Sequence, residues 1–175
     1  VFFFFLRTRI DSLNGEFKPA RGILFPYSVA KTNNPKNYKV TYKGEWRSAR
    51  NVKRDRDAIL GLTGMAVFTS DSIAEISIKL NPSDSIKRWS FTRLKVLGYA
   101  DNPKVVPMLY MDNSSYLRPV FDSIESTYTY QLATQLDSFK LIIIQTDTVN
   151  HRFTLNGFIL ENDEPGIVYH SIGVN

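Results

Sequence analysis

The sequence predicts a mainly β protein: a jelly-roll-like β-sandwich with a short N-terminal helix or extended leader. Three observations carry the prediction. From Tyr38 onward, short runs rich in Val, Ile, Thr, Tyr and Phe alternate apolar and polar side chains with the period of two that a half-buried strand requires. Between the runs stand turn formers, Asn81-Pro82-Ser83-Asp84, Asp101-Asn102-Pro103, Asp112-Asn113-Ser114-Ser115 and Asn162-Asp163-Glu164-Pro165-Gly166. No convincing helical period interrupts the series, and eight or nine short strands in succession pack as a sandwich.

Taken in order, Phe3, Leu6, Ile10 and Leu13 recur at helical spacing and place one apolar face on a short helix, which Asn14-Gly15 ends. In RGILFPYSVAKTNNPKNYK, Pro26, Asn33, Asn34 and Pro35 break any regular element. Ile23, Leu24, Phe25 and Tyr27 nevertheless demand burial, so the connector is ordered. The strands follow as VTYKGEWRS, MAVFTS, AEISIKL, FTRLKVLGYA, VVPMLYM, STYTYQLATQL, SFKLIIIQTD, FTLNGFILEN and GIVYHSIGV. In AEISIKL, Ile76, Ile78 and Leu80 face one way while Glu75, Ser77 and Lys79 face the other, the pattern of a sheet with one wet side. The boundaries are a leader and connector at residues 1–37, the sandwich at 38–166, and a final strand at 167–175.

Composition narrows the function classes. With 175 residues, 43% of them hydrophobic, the chain fills one sizeable core. Its 22 basic against 17 acidic residues form a modest bias that selects no single polyanionic partner. The absence of cysteine removes disulfide frameworks, thiolate zinc sites and cysteine nucleophiles together. No apolar run approaches the roughly 18 residues of a membrane span, and VFFFFL is too short for a signal core, with its arginines on the wrong side.

Catalytic motifs are missing. There is no G-x-S-x-G elbow, GDS, H-E-x-x-H, P-loop or G-x-G-x-x-G, and turn chemistry accounts for the Asp71-Ser72 and Asp84-Ser85 pairs. The two histidines, His151 and His170, lack a nucleophile at workable spacing, since His170 and Ser171 as strand neighbours point to opposite faces. No cofactor is expected. Calcium is the one ion that the loop oxygens of Asp112-Asn113 or Asn162-Asp163-Glu164 could take, although these are also ordinary turn residues. Arg47, Arg50, Lys53, Arg54 and Arg56 read as a solvated loop or edge strand, with Asp55 and Asp57 offsetting part of the charge. A carbohydrate site needs flat rings and amides. The candidates are Trp46, Trp89, Tyr110 and Tyr116, with Asn113 nearby, drawn from a set of aromatics most of which belong to the core.

RGILFPYSVAKTNNPKNY (residues 21–38) and FILENDEPGIVYHSIGVN (residues 158–175) resemble segments of bacterial SGNH/GDSL-type hydrolases related to peptidoglycan O-acetylesterases. In that group a β-sandwich similar to a carbohydrate-binding module interrupts the hydrolase domain. The resemblance implies that RTRIDSLNG corresponds to the helix after the catalytic serine and that GIVYHSIGVN is where the chain re-enters the hydrolase. It implies Gly173 and Asn175 as oxyanion-hole elements. The family's GDS serine and Asp-x-x-His block have no counterpart in these residues, so the chain itself is expected to be inactive. The expected function is a non-catalytic, carbohydrate-binding-like module of an SGNH-type hydrolase in the periplasm or outside the cell. Its partners would be a polysaccharide or peptidoglycan and the remainder of the hydrolase, with no specific nucleic acid. The alternatives are an incomplete piece of an O-acetyl esterase, and a structural spacer or polyanion-binding domain.

Overall fold

The computed structural model describes residues 6, 9–10, 12–32, 37–81, 89–111, 115–145, 149, 151–170 and 172. Leu6, Arg9, Ile10, Ser12 and Leu13 are helical, and the Asn14 amide donates to the Ile10 carbonyl at 3.0 Å. Gly15 then takes φ +61°, the left-handed conformation that ends a helix at little cost in glycine. Phe3 of the expected apolar face lies outside the described residues.

Among the described residues twelve strands follow: β1 (Gly22–Leu24), β2 (Tyr38–Lys43), β3 (Arg47–Arg50), β4 (Met65–Thr69), β5 (Ile73–Leu80), β6 (Phe91–Ala100), β7 (Pro107–Tyr110), β8 (Tyr116–Leu117), β9 (Val120–Asp122), β10 (Thr127–Leu136), β11 (Ser138–Ile144) and β12 (Phe153–Glu161). They form two antiparallel sheets. One runs β3-β4-β12-β6-β10-β9, with β1 added against β12; the other runs β2-β5-β11-β7-β8. From β4 to β7 each successive strand changes sheet, and β10, β11 and β12 do the same. The orders β4-β12-β6-β10 and β5-β11-β7-β8 therefore make up the eight-stranded jelly roll that the sequence predicts.

The core lies between the sheets. Phe91, Leu94, Val96, Tyr128, Tyr130, Phe153, Leu155, Phe158 and Leu160 come from the larger sheet, and Ile76, Ile78, Leu80, Leu109, Phe139, Leu141 and Ile143 from the smaller. Alternation slips once along β12. Phe153 and Leu155 point inward, then Phe158 and Leu160, because a bulge at Asn156-Gly157 adds a residue against Gly98 and Leu97 of β6. The bulge also divides the free edge of β12: Phe153 to Leu155 pair with β4, and Phe158 to Leu160 pair with β1.

Three expectations change here. The connector contributes a strand, β1, to the larger sheet. VTYKGEWRS breaks at Gly44, φ +89°, into β2 of one sheet and β3 of the other. Ile167 to His170, expected as a strand, carry no ladder among the described residues. Side chains hold this segment instead. Asn14 accepts from the Ile167 amide at 2.8 Å and donates to its carbonyl at 3.2 Å, and the Ile23 amide donates to His170 Nδ1 at 3.1 Å.

Candidate functional site

The outer face of the smaller sheet gathers the polar halves of four alternating strands. Registers across the sheet align Thr41, Ser77, Lys140, Tyr110 and Tyr116 in one row, one residue from each strand. Two residues along, a second row holds Lys39, Lys79 and Ser138, with Lys39 directly opposite Lys79. On the other side, Lys43 lies opposite Glu75 and pairs with it at 3.4 Å. Ile76, Ile78, Leu141 and Phe139 of the same strands point into the core, and this fixes the outward direction of their neighbours.

Lys39, Thr41, Ser77, Lys79, Ser138 and Lys140, with the backbone between them, line an open depression of about 350 Å³. The Lys140 ammonium lies 4.9 Å from the centre of the Tyr110 ring, a cation–π placement that holds the charge without neutralising it. Tyr110 and Tyr116 meet edge to face at 5.7 Å, and Tyr116 is 46% exposed. The surface therefore offers ammonium and hydroxyl hydrogen-bond donors beside an aromatic edge, and neither histidine is among its lining residues.

The other residues named from sequence are placed elsewhere. Trp46 and Trp89 are core residues, 7% and 8% exposed. The Trp46 indole donates to the Lys43 carbonyl at 3.0 Å. Trp89 is held through its backbone by the Asn81 amide side chain, and the buried Arg21 guanidinium lies 5.9 Å from its ring and 5.5 Å from that of Tyr38. Neither indole presents a ring face for a sugar to stack on. Of the named rings, Tyr110 and Tyr116 share the outer face of the smaller sheet. Asn113, Gly173 and Asn175 lie outside the described residues, as do Asp84 and Ser85.

Asp71 has a turn role, its carboxylate accepting from the Glu45 amide at 2.6 Å. His151 is clasped to Gln145 through its backbone, and its ring nitrogen meets the Asn102 amide at 2.9 Å. The arginine-rich segment folds back on its own chain. Arg50 donates to the Ala30 carbonyl, Arg56 to those of Lys53 and Asn51, and Arg47 covers the Phe68 ring at 5.3 Å. Among the described residues no group of three His, Asp or Glu side chains could hold a metal ion. None of the helical residues described forms a helix long and apolar enough to cross a membrane.

The resolved pKa shifts belong to tyrosines near the core. Burial raises Tyr128, and burial with the neighbouring Tyr128 raises Tyr130 further. Tyr27 is raised by burial and partly offset by the Arg21 charge. These phenols stay neutral and hold structure, as the Tyr130 hydroxyl does in donating to the Pro107 carbonyl at 2.5 Å.

Sequence reasoning missed Lys39, Thr41, Ser138 and Lys140. Their signal was the polar half of each alternating run, read in AEISIKL and not followed across to β2 and β11. The pairing of Lys140 with Tyr110 and Ser77 joins segments some 30 and 60 positions apart, a register no local pattern states.

No protein-family model and no curated protein matches the sequence. Among solved structures the chain is similar to "Peptidoglycan O-acetylesterase in action, 5 min", with a TM-score of 0.57 and 15% identity over 96% of this chain and 41% of that one. At this identity the likeness is one of fold, and the chain spans about two fifths of the length of the structure it resembles.

Proposed function

We propose that the chain is a non-catalytic, carbohydrate-binding-like β-sandwich module of an SGNH-type hydrolase of the cell envelope, positioning a cell-wall polysaccharide for a catalytic domain formed by other residues of the same polypeptide. The observation that carries this reading is the fold match, which takes in 96% of this chain and only 41% of an enzyme that acts on peptidoglycan O-acetyl groups. Two features support it. The tying of Asn14 to Ile167 brings the two end segments together, the geometry of a unit inserted into another domain. Leu13, Phe17 and Ile167 on those joined segments are exposed apolar side chains, suited to being covered by such a domain. Gly173 and Asn175 would then lie at the border of the catalytic domain, as oxyanion donors.

Co-sedimentation with insoluble peptidoglycan, acetylated and chemically deacetylated, at low and high salt tests the proposal. Salt-resistant retention is the expected result, and a difference between the two preparations would implicate the acetyl group. Retention that vanishes with salt, or none at all, would leave a spacer. The 41% coverage also favours a second reading, that the chain is an incomplete piece of an O-acetyl esterase. On that reading a longer polypeptide hydrolyses an aryl acetate and loses the activity when its serine nucleophile is replaced, whereas the chain alone shows no turnover.

A further inference from the structure

We infer that the loop of residues 51–64, between β3 and β4, docks the chain on an anionic lipid surface, with Val52, Ile59 and Leu62 entering the boundary between headgroups and acyl chains and Lys53 and Arg54 meeting headgroup phosphates. The inference stands apart from the glycan-binding reading and does not depend on it.

The loop is a closed unit. Its ends meet where the Asn51 amide donates to the Gly64 carbonyl at 2.9 Å, and Arg56 braces the interior by donating to the Lys53 and Asn51 carbonyls at 3.1 and 3.0 Å. It lies against the outer face of the larger sheet. The Ile59 amide donates to the Tyr99 hydroxyl at 3.1 Å, Arg152 donates to the Asp57 carbonyl, and Gly61 sits so near β12 that a Cβ there would come within 2.7 Å of Asn156. Thr154 stands between the inward-pointing Phe153 and Leu155 and is nevertheless fully buried, as an outward residue beneath an overlying segment is.

Packing of the loop is met by Ala58 and Leu60, half-buried, and by Thr63, buried. Ile59 and Leu62 alternate with them and are 72% and 56% exposed; Val52, beside the closed end, is 69% exposed. Apolar residues scattered singly over a surface are ordinary, but these three belong to one loop whose backbone is already tied to the sheet. They are held outward before any partner arrives, which lowers the cost of docking. Residues 47–64 carry Arg47, Arg50, Lys53, Arg54 and Arg56 against Asp55 and Asp57. Lys53, Arg54 and Arg56 are exposed, and neither Lys53 nor Arg54 forms an ion pair among the described residues. Apolar side chains interleaved with cations match a bilayer, which offers phosphates above acyl chains. A soluble polyanion would engage the cations and leave Ile59 and Leu62 in water.

The test is flotation of the full chain with vesicles of phosphatidylcholine, alone or with about one third phosphatidylglycerol, at low and moderate salt. Anionic vesicles should bind the chain at least tenfold more tightly than neutral ones, with part of the binding surviving moderate salt. Ile59→Ser and Leu62→Ser should each weaken it about fivefold, and Lys53→Gln combined with Arg54→Gln about twentyfold. Lys39→Gln, on the outer face of the smaller sheet, and Leu13→Ser, on the joined end segments, should leave it unchanged. Because the chain has no cysteine, Ile59→Cys can carry one environment-sensitive fluorophore. Its emission should shift to the blue on anionic vesicles, and the same label at Lys39→Cys should not respond. All these positions are exposed, and unchanged urea midpoints would show that the fold survives each substitution. Absence of flotation, or equal flotation on the two kinds of vesicle, would overturn the inference. So would equal loss in the loop and control variants. Loss in the Lys53 and Arg54 variant alone, with an unshifted label at residue 59, would also overturn it and leave only a charged surface that any polyanion can meet.

Discussion

At the scale of the residue, the clearest structural commitments are polar atoms placed inside the sandwich. Tyr130 is fully buried, and its hydroxyl donates to the Pro107 carbonyl, joining β10 of one sheet to β7 of the other. Tyr130→Phe removes that bond and should cost about 1 kcal/mol in urea unfolding, with an unchanged m value. The same residue bears on alkaline stability. Burial raises the Tyr128 and Tyr130 phenols above their ordinary value of 10.0, so above that pH the unfolded chain ionises before the folded one. Their stabilising contribution is complete below pH 10 and drains as pH climbs toward the raised folded values, by up to about 1.4 kcal/mol per pH unit for Tyr130. Urea midpoints measured above pH 10 should fall with rising pH, and the Tyr130→Phe variant should show the shallower slope.

At the scale of the element, the β12 bulge is the feature on which the larger sheet turns. It shifts the inward series by one residue and frees half of the strand edge for β1. Gly98 sits opposite the bulge because a Cβ there would come within 2.3 Å of the Thr154 carbonyl oxygen, a backbone atom that cannot swing aside. Gly98→Ala should therefore force β6 and β12 apart at the centre of the sheet and cost about 3 kcal/mol. A fall of less than 1 kcal/mol in the denaturation curve would mean that the bulge relaxes more readily than its geometry states. Gly157, in the bulge itself at φ +146°, adds a second position where a side chain is strained.

At the scale of the whole molecule, the leader and the segment after β12 behave as one unit. Asn162 accepts from the Ala20 amide and donates to the Lys18 and Ser90 carbonyls, Asn14 clasps Ile167 on both sides, and His170 accepts from the Ile23 amide. Asn14 is buried, so Asn14→Ala should release residues 167–170 and with them the His170 bond. Hydrogen exchange should then show the Ile167 and Ile23 amides losing protection together while β6 and β10 keep theirs. Independent loss at the two positions would show that the ends are held separately. Refolding is expected in the millisecond-to-second range of β-sandwiches, because most of the described strands pair with one distant in sequence; stopped-flow fluorescence of the two tryptophans would measure it.

Alternation and turn chemistry, both local properties, were enough to state the fold class, to place most of the strands and to end the leader helix at Asn14-Gly15. The short strands β1, β8 and β9 carried no such signal, since two or three residues show no period and pair only because a longer neighbour offers an edge. The same limit applied to the site. Trp46 and Trp89 resembled sugar platforms by residue type, yet burial is a property of what packs around a ring, and both went to the core. The row from Thr41 through Lys140 to Tyr116 exists only through the registers of five strands. Except for Tyr116 on the two-residue β8, each residue's outward direction was determined by its own alternating run. Which side chains became neighbours was decided by tertiary pairing, because a one-residue slip of any strand would send its half of the pattern to the opposite face.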